Sequence, residues 1–141
     1  MKKYILFIFI LISTHVFSQS YTIQNYTITS VNRQKENEAL EDYSANFHGK
    51  LLTYDPNNDR FVINTSATEN VIYKIVSIPN PNDFYDKDNR HVFIFNCTDN
   101  NAQTCKIYLS YPPKDSHGLD VTLVVTYEWH LTYMFYLKAF V

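Results

Sequence analysis

Short runs in which apolar and polar residues alternate recur along most of this chain, and their period of two predicts β-strands. Residues typical of turns, such as Pro, Asn, Asp and Gly, separate the runs. The predicted strands cover residues 21–31, 47–54, 60–65, 71–78, 90–97, 105–111 and 121–138. The polar stretch 32–46 is the one candidate for a helix, and a surface loop is an equally good interpretation of it.

The C-terminal run is too long for one strand. Apolar residues hold the odd positions from Val121 to Leu137, whereas the even positions are largely polar. Most strands contain about 3–10 residues. We therefore predict a tight turn near residues 127–130 that divides the run into two strands, although no Gly, Asn or Pro marks it.

The first strand changes phase along its length. A β-bulge at Gln24–Asn25 would restore a single apolar face, because a bulge inserts one extra residue into a strand. The residues that this bulge would bring to one face are Tyr21, Ile23, Tyr26 and Ile28.

The segments between the strands set the topology. "DPNND" at 55–59 predicts a hairpin with a five-residue loop. The proline- and aspartate-rich segment 79–89 and the segment 112–120 predict long exposed loops. Residues 71–78 are apolar on both faces, which favours a central strand. Seven or eight strands in regular succession indicate an all-β fold, a single antiparallel meander that forms a small barrel or a sandwich.

The N-terminus predicts export. A basic "MKK" precedes the apolar run "YILFIFILI", and Val16 and Ser18 stand at the −3 and −1 positions of a cleavage site, a pattern typical of a secretory signal peptide. We expect cleavage before Gln19, which divides the chain into a signal peptide at 1–18 and a single β domain at 19–141. The domain contains no apolar run long enough for a transmembrane helix. We therefore expect an exported protein, periplasmic or secreted, without an integral membrane segment.

Composition agrees with the strand pattern and narrows the partners. The chain holds 12 Tyr and 10 Phe, and aromatic residues favour strands. A net charge of −2 without a cluster of Lys or Arg argues against nucleic acid as a partner.

The two cysteines, Cys97 and Cys105, predict a disulfide across a hairpin. Export permits disulfides, whereas a zinc site would need more ligands, and two free thiols are the alternative. Pairing them places Phe95 opposite Ile107, Phe93 opposite Leu109 and His91 opposite Tyr111, so that the cysteine face is strongly apolar. A shift by one residue would turn this face outward.

The strongest candidate for a polar binding site is the even-numbered face of the C-terminal run. Glu128 and His130 share this face with Thr126 and Thr132, and they could act as a base with its orienting group. A solvent-exposed face near a turn is the simpler interpretation. No motif for a cofactor or a metal is present, and we expect neither, nor do we expect an enzyme.

Several stretches, read together, resemble a known group of proteins. These are "VFSQ" (16–19), "YTIT" (26–29), "DPNNDRFVI" (55–63), "FNCTD" (95–99) and "VVTYEWHLTYMFY" (124–136). They resemble small exported proteins of Bacteroidota-type bacteria. The resemblance implies a compact calycin-like β-barrel with no assigned activity. The G-x-W motif of the lipocalin first strand is missing, since the single Trp is Trp129.

Three functions are weighed against these observations. The first is a non-enzymatic binding module for a small apolar ligand or a protein partner. The alternative is a structural protein that interacts with other proteins of the envelope, and a hydrolase that uses Glu128 and His130 is a remote third.

Overall fold

The computed structural model describes residues 22–66, 69–114 and 120–139, so the predicted signal peptide lies outside the described residues. Ten strands form within these ranges. They are β1 (Gln24–Gln34), β2 (Glu41–Asp42), β3 (Leu51–Asp55), β4 (Arg60–Asn64), β5 (Asn70–Ser77), β6 (Asp83–Tyr85), β7 (His91–Thr98), β8 (Thr104–Tyr111), β9 (Val121–Tyr127) and β10 (Thr132–Ala139). Short 3₁₀ turns lie at Ser44–Asn46 and Pro56–Asn58.

Eight of the strands form a closed antiparallel barrel. Their order is β1-β3-β4-β5-β7-β8-β9-β10, and β10 pairs back to β1. The strands follow the chain order, so the predicted meander is confirmed and its form is a barrel rather than a sandwich. The short strand β2 pairs with β1, and β6 pairs with β7, outside this closed order.

Side chains of alternate residues fill the barrel. In β9 and β10 the odd positions point inward as predicted, and Leu123, Val125, Phe135 and Leu137 are buried. An eight-stranded barrel is just wide enough to be filled by its own side chains. The largest fully buried side chains are Phe61, Phe135, Ile28, Leu52, Ile63, Ile107, Leu109, Leu123 and Leu137.

The irregularity of the first strand lies further along than the sequence pattern predicts. Tyr26 and Ile28 are buried, but Ile23 is 53% exposed, so a bulge at Gln24–Asn25 is wrong. The register with β10 shifts between Ile28 and Ser30. The extra residue returns Val31 to the interior, where its side chain is fully buried. Pairing with both neighbouring strands, which the sequence alone does not show, sets this position.

The cysteine hairpin has the predicted register. Cys97 lies opposite Cys105, Phe95 opposite Ile107, and Phe93 opposite Leu109. Both cysteines are buried and are free thiols in the structure. Burial raises the pKa of each thiol to about 12, with the neighbouring Cys105 adding to the shift at Cys97 and Asp99 adding to that at Cys105.

The segment 79–89 contains a short strand, and the prediction of a loop throughout it is wrong. β6 pairs with the N-terminal part of β7, while β5 pairs with the C-terminal part of the same edge. Residues 78–82 form the connection between β5 and β6, and the backbone N–H of Ile94 donates to the carbonyl of Asn82 across it, at 2.7 Å. The two prolines precede the paired residues, so they do not block the ladder. β5 itself is only partly covered, since Val76 is 55% exposed.

The predicted turn between the last two strands is confirmed, and His130 makes it. Its φ of 61° lies in the left-handed region that glycine or asparagine usually occupies. The N–H of Tyr127 donates to the carbonyl of Leu131 at 2.9 Å, and the N–H of His130 donates to the carbonyl of Tyr127 at 3.1 Å. A histidine in a strained conformation therefore performs the role of the missing turn residue.

We expect His130→Gly to increase the free energy of unfolding by up to about 1 kcal/mol, because glycine adopts a positive φ without strain. His130→Val should lower it by about 1–2 kcal/mol, since a β-branched side chain is poorly accommodated there. Urea denaturation measures both. Glu128→Gly is the matched control in the same turn and should be destabilising, because Glu128 has no positive φ. A loss of stability in His130→Gly as large as in Glu128→Gly would contradict this account.

Candidate functional site

A recess opens at one end of the barrel, where β1 begins and β8 ends. Its volume is about 360 Å³. Side chains from β1, β3, β7 and β8 line it, together with two from the connection between β5 and β6, Ile78 and Asn82. We call this recess the mouth. Its volume lies at the lower end of the range of small-molecule sites, about 300–1,000 Å³.

Aromatic rings form the walls of the mouth and hold one another in place. Tyr54 and Phe95 lie with ring centroids 5.6 Å apart, and Phe93 meets Tyr111 edge to face at 5.9 Å. Tyr54 also stacks on the fully buried Phe61, with centroids 4.8 Å apart. Contacts of this kind stabilise both rings beyond the effect of burial alone. Contacts within the protein therefore fix the orientation of these rings.

Gln24 joins two tyrosine hydroxyls at the inner side of the mouth. Its side-chain oxygen accepts hydrogen bonds from Tyr26 at 2.6 Å and from Tyr111 at 2.7 Å. The two hydroxyl oxygens lie 3.1 Å apart. Burial raises the pKa of both tyrosines, so they are neutral donors throughout the ordinary pH range.

An aspartate–histidine pair lies at the rim. His91 Nε2 is 2.8 Å from Asp83 Oδ2, and the two side chains are 31% and 45% exposed. The imidazole stacks on Tyr85, with ring centroids 4.5 Å apart, and contacts Phe93 at 4.3 Å. Strand β6 makes this arrangement, because it places Asp83 and Tyr85 beside β7. Asp83 thereby fixes the orientation of the ring, which extends the aromatic wall to the solvent.

The opposite end of the barrel is covered. The Tyr127 hydroxyl donates to Asp99 at 2.9 Å, and Tyr127 stacks on Trp129 at 4.5 Å. Nearby, Phe47 meets Phe135 edge to face, with centroids 5.5 Å apart. These contacts close this end with side chains, whereas the mouth keeps open volume.

The polar face predicted in the C-terminal strands lies outside the barrel. Thr126 and Glu128 line an outer groove of about 390 Å³ on β5, β7, β8 and β9. Thr132 lies opposite Thr126 in the register. His130 is 67% exposed, and its charged neighbour is Glu36, 3.9 Å away, rather than Glu128. The structure therefore brings Thr126 and Glu128 into a groove but does not pair Glu128 with His130.

The outer groove differs from the mouth in its chemistry. One row of side chains crosses it in register, namely Ser77, Asn96, Lys106 and Thr126. Exposed long side chains, Lys106 and Glu128, stand beside the exposed Val76, and the largely buried Cys97, Cys105 and Tyr127 also line the groove. Flexible charged groups in water define a ligand position less well than packed rings do, so the mouth is the stronger candidate site.

Two negative findings apply to the described residues. They contain no group of three or more His, Cys, Asp or Glu side chains that could hold a metal ion. They also contain no helix that is both long and apolar enough to cross a membrane.

A scan against protein-family models, a search of curated proteins and a search of solved structures each found no match to this chain. The resemblance described above therefore stays a prediction, and the site must be interpreted from its own geometry.

Sequence reasoning finds only part of the mouth. The cysteine register correctly places His91 opposite Tyr111 on the inward face. It does not find Asp83, Tyr85 or Gln24, because their roles depend on β6 and on closure of the barrel. "DFY" at 83–85 gives no usable signal, because three residues are too few to establish a period of two.

Ionisation of the mouth tyrosines should reduce stability at high pH. The raised pKa of Tyr26 and Tyr111 means that the folded protein holds these protons more tightly than the unfolded chain. Their contribution is complete below about pH 10, the ordinary pKa of tyrosine, and is lost as the pH rises above it. We expect the free energy of unfolding to fall above that pH, and to fall less steeply in Tyr111→Phe.

Urea denaturation at a series of pH values measures this dependence, and phenolate absorbance reports the ionisation. The denatured chain is the control, because its tyrosines should ionise together near about pH 10. A folded protein whose tyrosines all ionise together in the same range would contradict the prediction.

Proposed function

We propose that this protein is an exported, non-enzymatic binding module that holds a small, largely apolar ligand in the mouth of its barrel. The observation that carries the proposal is the open recess of about 360 Å³ with aromatic walls at one end of a filled barrel. Sites for small molecules are mostly apolar, with a few polar groups that fix orientation. Gln24 and Asn82 supply such groups here, while the Asp83–His91 pair lies outside the lining at the rim.

The arrangement of the rings supports binding rather than mere packing of a core. Rings that only fill the interior would be fully buried, as Phe61 is. Tyr54, Phe93 and Tyr111 are instead partly exposed and line open volume. A ligand that covers these rings removes apolar surface from water, which stabilises the complex by about 25 cal/mol for each Å².

Two neighbouring positions offer a direct test of the binding position. Ile78 is 54% exposed and lines the mouth, whereas Val76 is 55% exposed and lines the outer groove. We expect Ile78→Trp to weaken binding of the neutral fluorophore N-phenyl-1-naphthylamine by tenfold or more, because the indole would occupy the recess. Fluorescence titration measures the affinity, and circular dichroism verifies the fold.

Val76→Trp is the matched control and should leave the affinity within about twofold of the parent protein. A reversed result, with weaker binding only in Val76→Trp, would move the site to the outer groove. Absence of binding to the parent protein at any practicable concentration would overturn the proposed function.

The same proposal includes a disulfide between Cys97 and Cys105 in the exported protein. Residues directly opposite in an antiparallel pair have Cα atoms about 4.5–5.5 Å apart, and disulfides span about 4.4–6.8 Å. The register therefore allows the bond without a change of strand pairing.

In protein isolated from an oxidising compartment we expect no free thiol by titration under denaturing, non-reducing conditions. Reduction should lower the free energy of unfolding by roughly 2.5 kcal/mol on the chain-entropy model. Cys97→Ser with Cys105→Ser is the control, because a reductant should then have no effect. Two titratable thiols in the exported protein would contradict the prediction.

A protein partner in the envelope is the second candidate function, and the exposed strand β6 favours it. Phe84 is 43% and Tyr85 65% exposed there, and β6 pairs with one strand only among the described residues. Light scattering over a range of concentrations tests self-association. A species that stays monomeric throughout would weaken this candidate without affecting the first.

A further inference from the structure

We infer that the ligand of the mouth is a neutral, flat ring compound that carries one amide-type edge, such as a lactam or an imide. This inference rests on the proposed function and names the ligand class for the same recess. Three features of the lining carry it, namely the absence of charge, the shape of the walls and the two carboxamide side chains.

Among the described residues, the lining carries no formal charge. Its eight side chains are aromatic, aliphatic or carboxamide, and the nearest charged pair, Asp83 and His91, lies outside the lining at the rim. A charged ligand would lose its hydration and find no opposite charge among these eight side chains. A neutral ligand avoids that cost.

The walls favour a flat ligand. Tyr54 and Phe95 are inclined by 54°, and Phe93 and Tyr111 by 83°, so rings on different strands face the recess in fixed orientations. Leu109 and Ile78 complete the apolar lining. Aromatic rings pack best against other flat rings, either offset or edge to face.

The two carboxamides supply the polar recognition. The oxygen of Gln24 already accepts two tyrosine hydroxyls, so the N–H₂ group of its side chain is left to donate. Asn82 uses its backbone carbonyl to hold Ile94, and its side chain donates no hydrogen bond to any described residue. An amide edge on the ligand presents a carbonyl beside an N–H. The carbonyl can accept from the side-chain N–H₂ groups of Gln24 and Asn82, and the N–H can donate to the side-chain oxygen of Asn82.

A sugar fits these features less well. Its hydroxyls are distributed around the ring, and each one that is buried without a partner weakens binding. Two carboxamides among aromatic and aliphatic walls cannot satisfy them all. One polar edge on an otherwise apolar ring is the pattern that the lining can satisfy.

Competition against N-phenyl-1-naphthylamine tests the ligand class with four compounds. We expect 2-quinolinone, a flat bicyclic lactam, to displace the fluorophore at concentrations about tenfold lower than naphthalene, its apolar counterpart. Charged 2-naphthoate and glucose should be weaker than both. Naphthalene that competes as well as 2-quinolinone, or a preference for glucose or 2-naphthoate, would overturn the inference, although binding of the fluorophore would still support the proposed function.

Asn82→Leu links the preference to the site. We expect it to weaken binding of 2-quinolinone by about tenfold while binding of naphthalene stays the same or improves, because only the lactam loses a hydrogen bond. The backbone contact to Ile94 does not depend on this side chain, so the fold should be retained. Asn101→Leu, in the exposed β7–β8 turn at the opposite end, is the matched control and should change neither affinity. Equal losses for both compounds in Asn82→Leu would overturn the amide contact.

Discussion

Closure of the sheet is the constraint on which the rest of this structure depends. β1 and β10 pair from Tyr26 with Ala139 to Gln34 with Thr132, so the first and last barrel strands are neighbours. An open meander would leave two strand edges with unpaired N–H and C=O groups, which invite association with other chains. Closure satisfies those groups and also fixes the barrel radius, because the radius follows from the number of strands and their stagger.

A fixed radius decides where a ligand can lie. With eight strands the interior has room for its own side chains, and fully buried residues such as Phe61 and Leu123 occupy it. A ligand cavity deep in the barrel would require small residues in their place. Open volume is found instead at the mouth, beside the connection 78–82 between β5 and β6. Most of the aromatic rings there are partly exposed, whereas rings deeper in the barrel are fully buried. The packed core and the open recess are therefore formed by different layers of inward-facing side chains.

Local pattern was sufficient for the strands but not for the site. Alternation, and for residues 71–78 an apolar run, located all eight barrel strands, and the apolar face of the cysteine hairpin gave its register, because both depend on neighbouring residues. The bulge in β1 was misplaced since its position depends on pairing with β3 and β10 at once. The Asp83–His91 contact depends on β6, a strand of three residues that leaves too little pattern to detect. His130 is the opposite case. The length of the alternating run predicted the turn, although histidine is not a residue type that usually marks one.

β5 and β6 pair with different parts of the same edge of β7. This arrangement allows β6 to open locally without unfolding of the whole barrel. β6 is held by three register pairs, Asp83 with Phe93, Phe84 with Val92 and Tyr85 with His91, and its three residues are exposed. It can detach while the eight-stranded ring stays closed, so its opening free energy is lower than that of the whole barrel. Amide hydrogens of β6 should therefore exchange with solvent well before those of β8. The rim of the mouth can thus widen on the time scale of a local fluctuation, and access to the recess does not require the barrel itself to open.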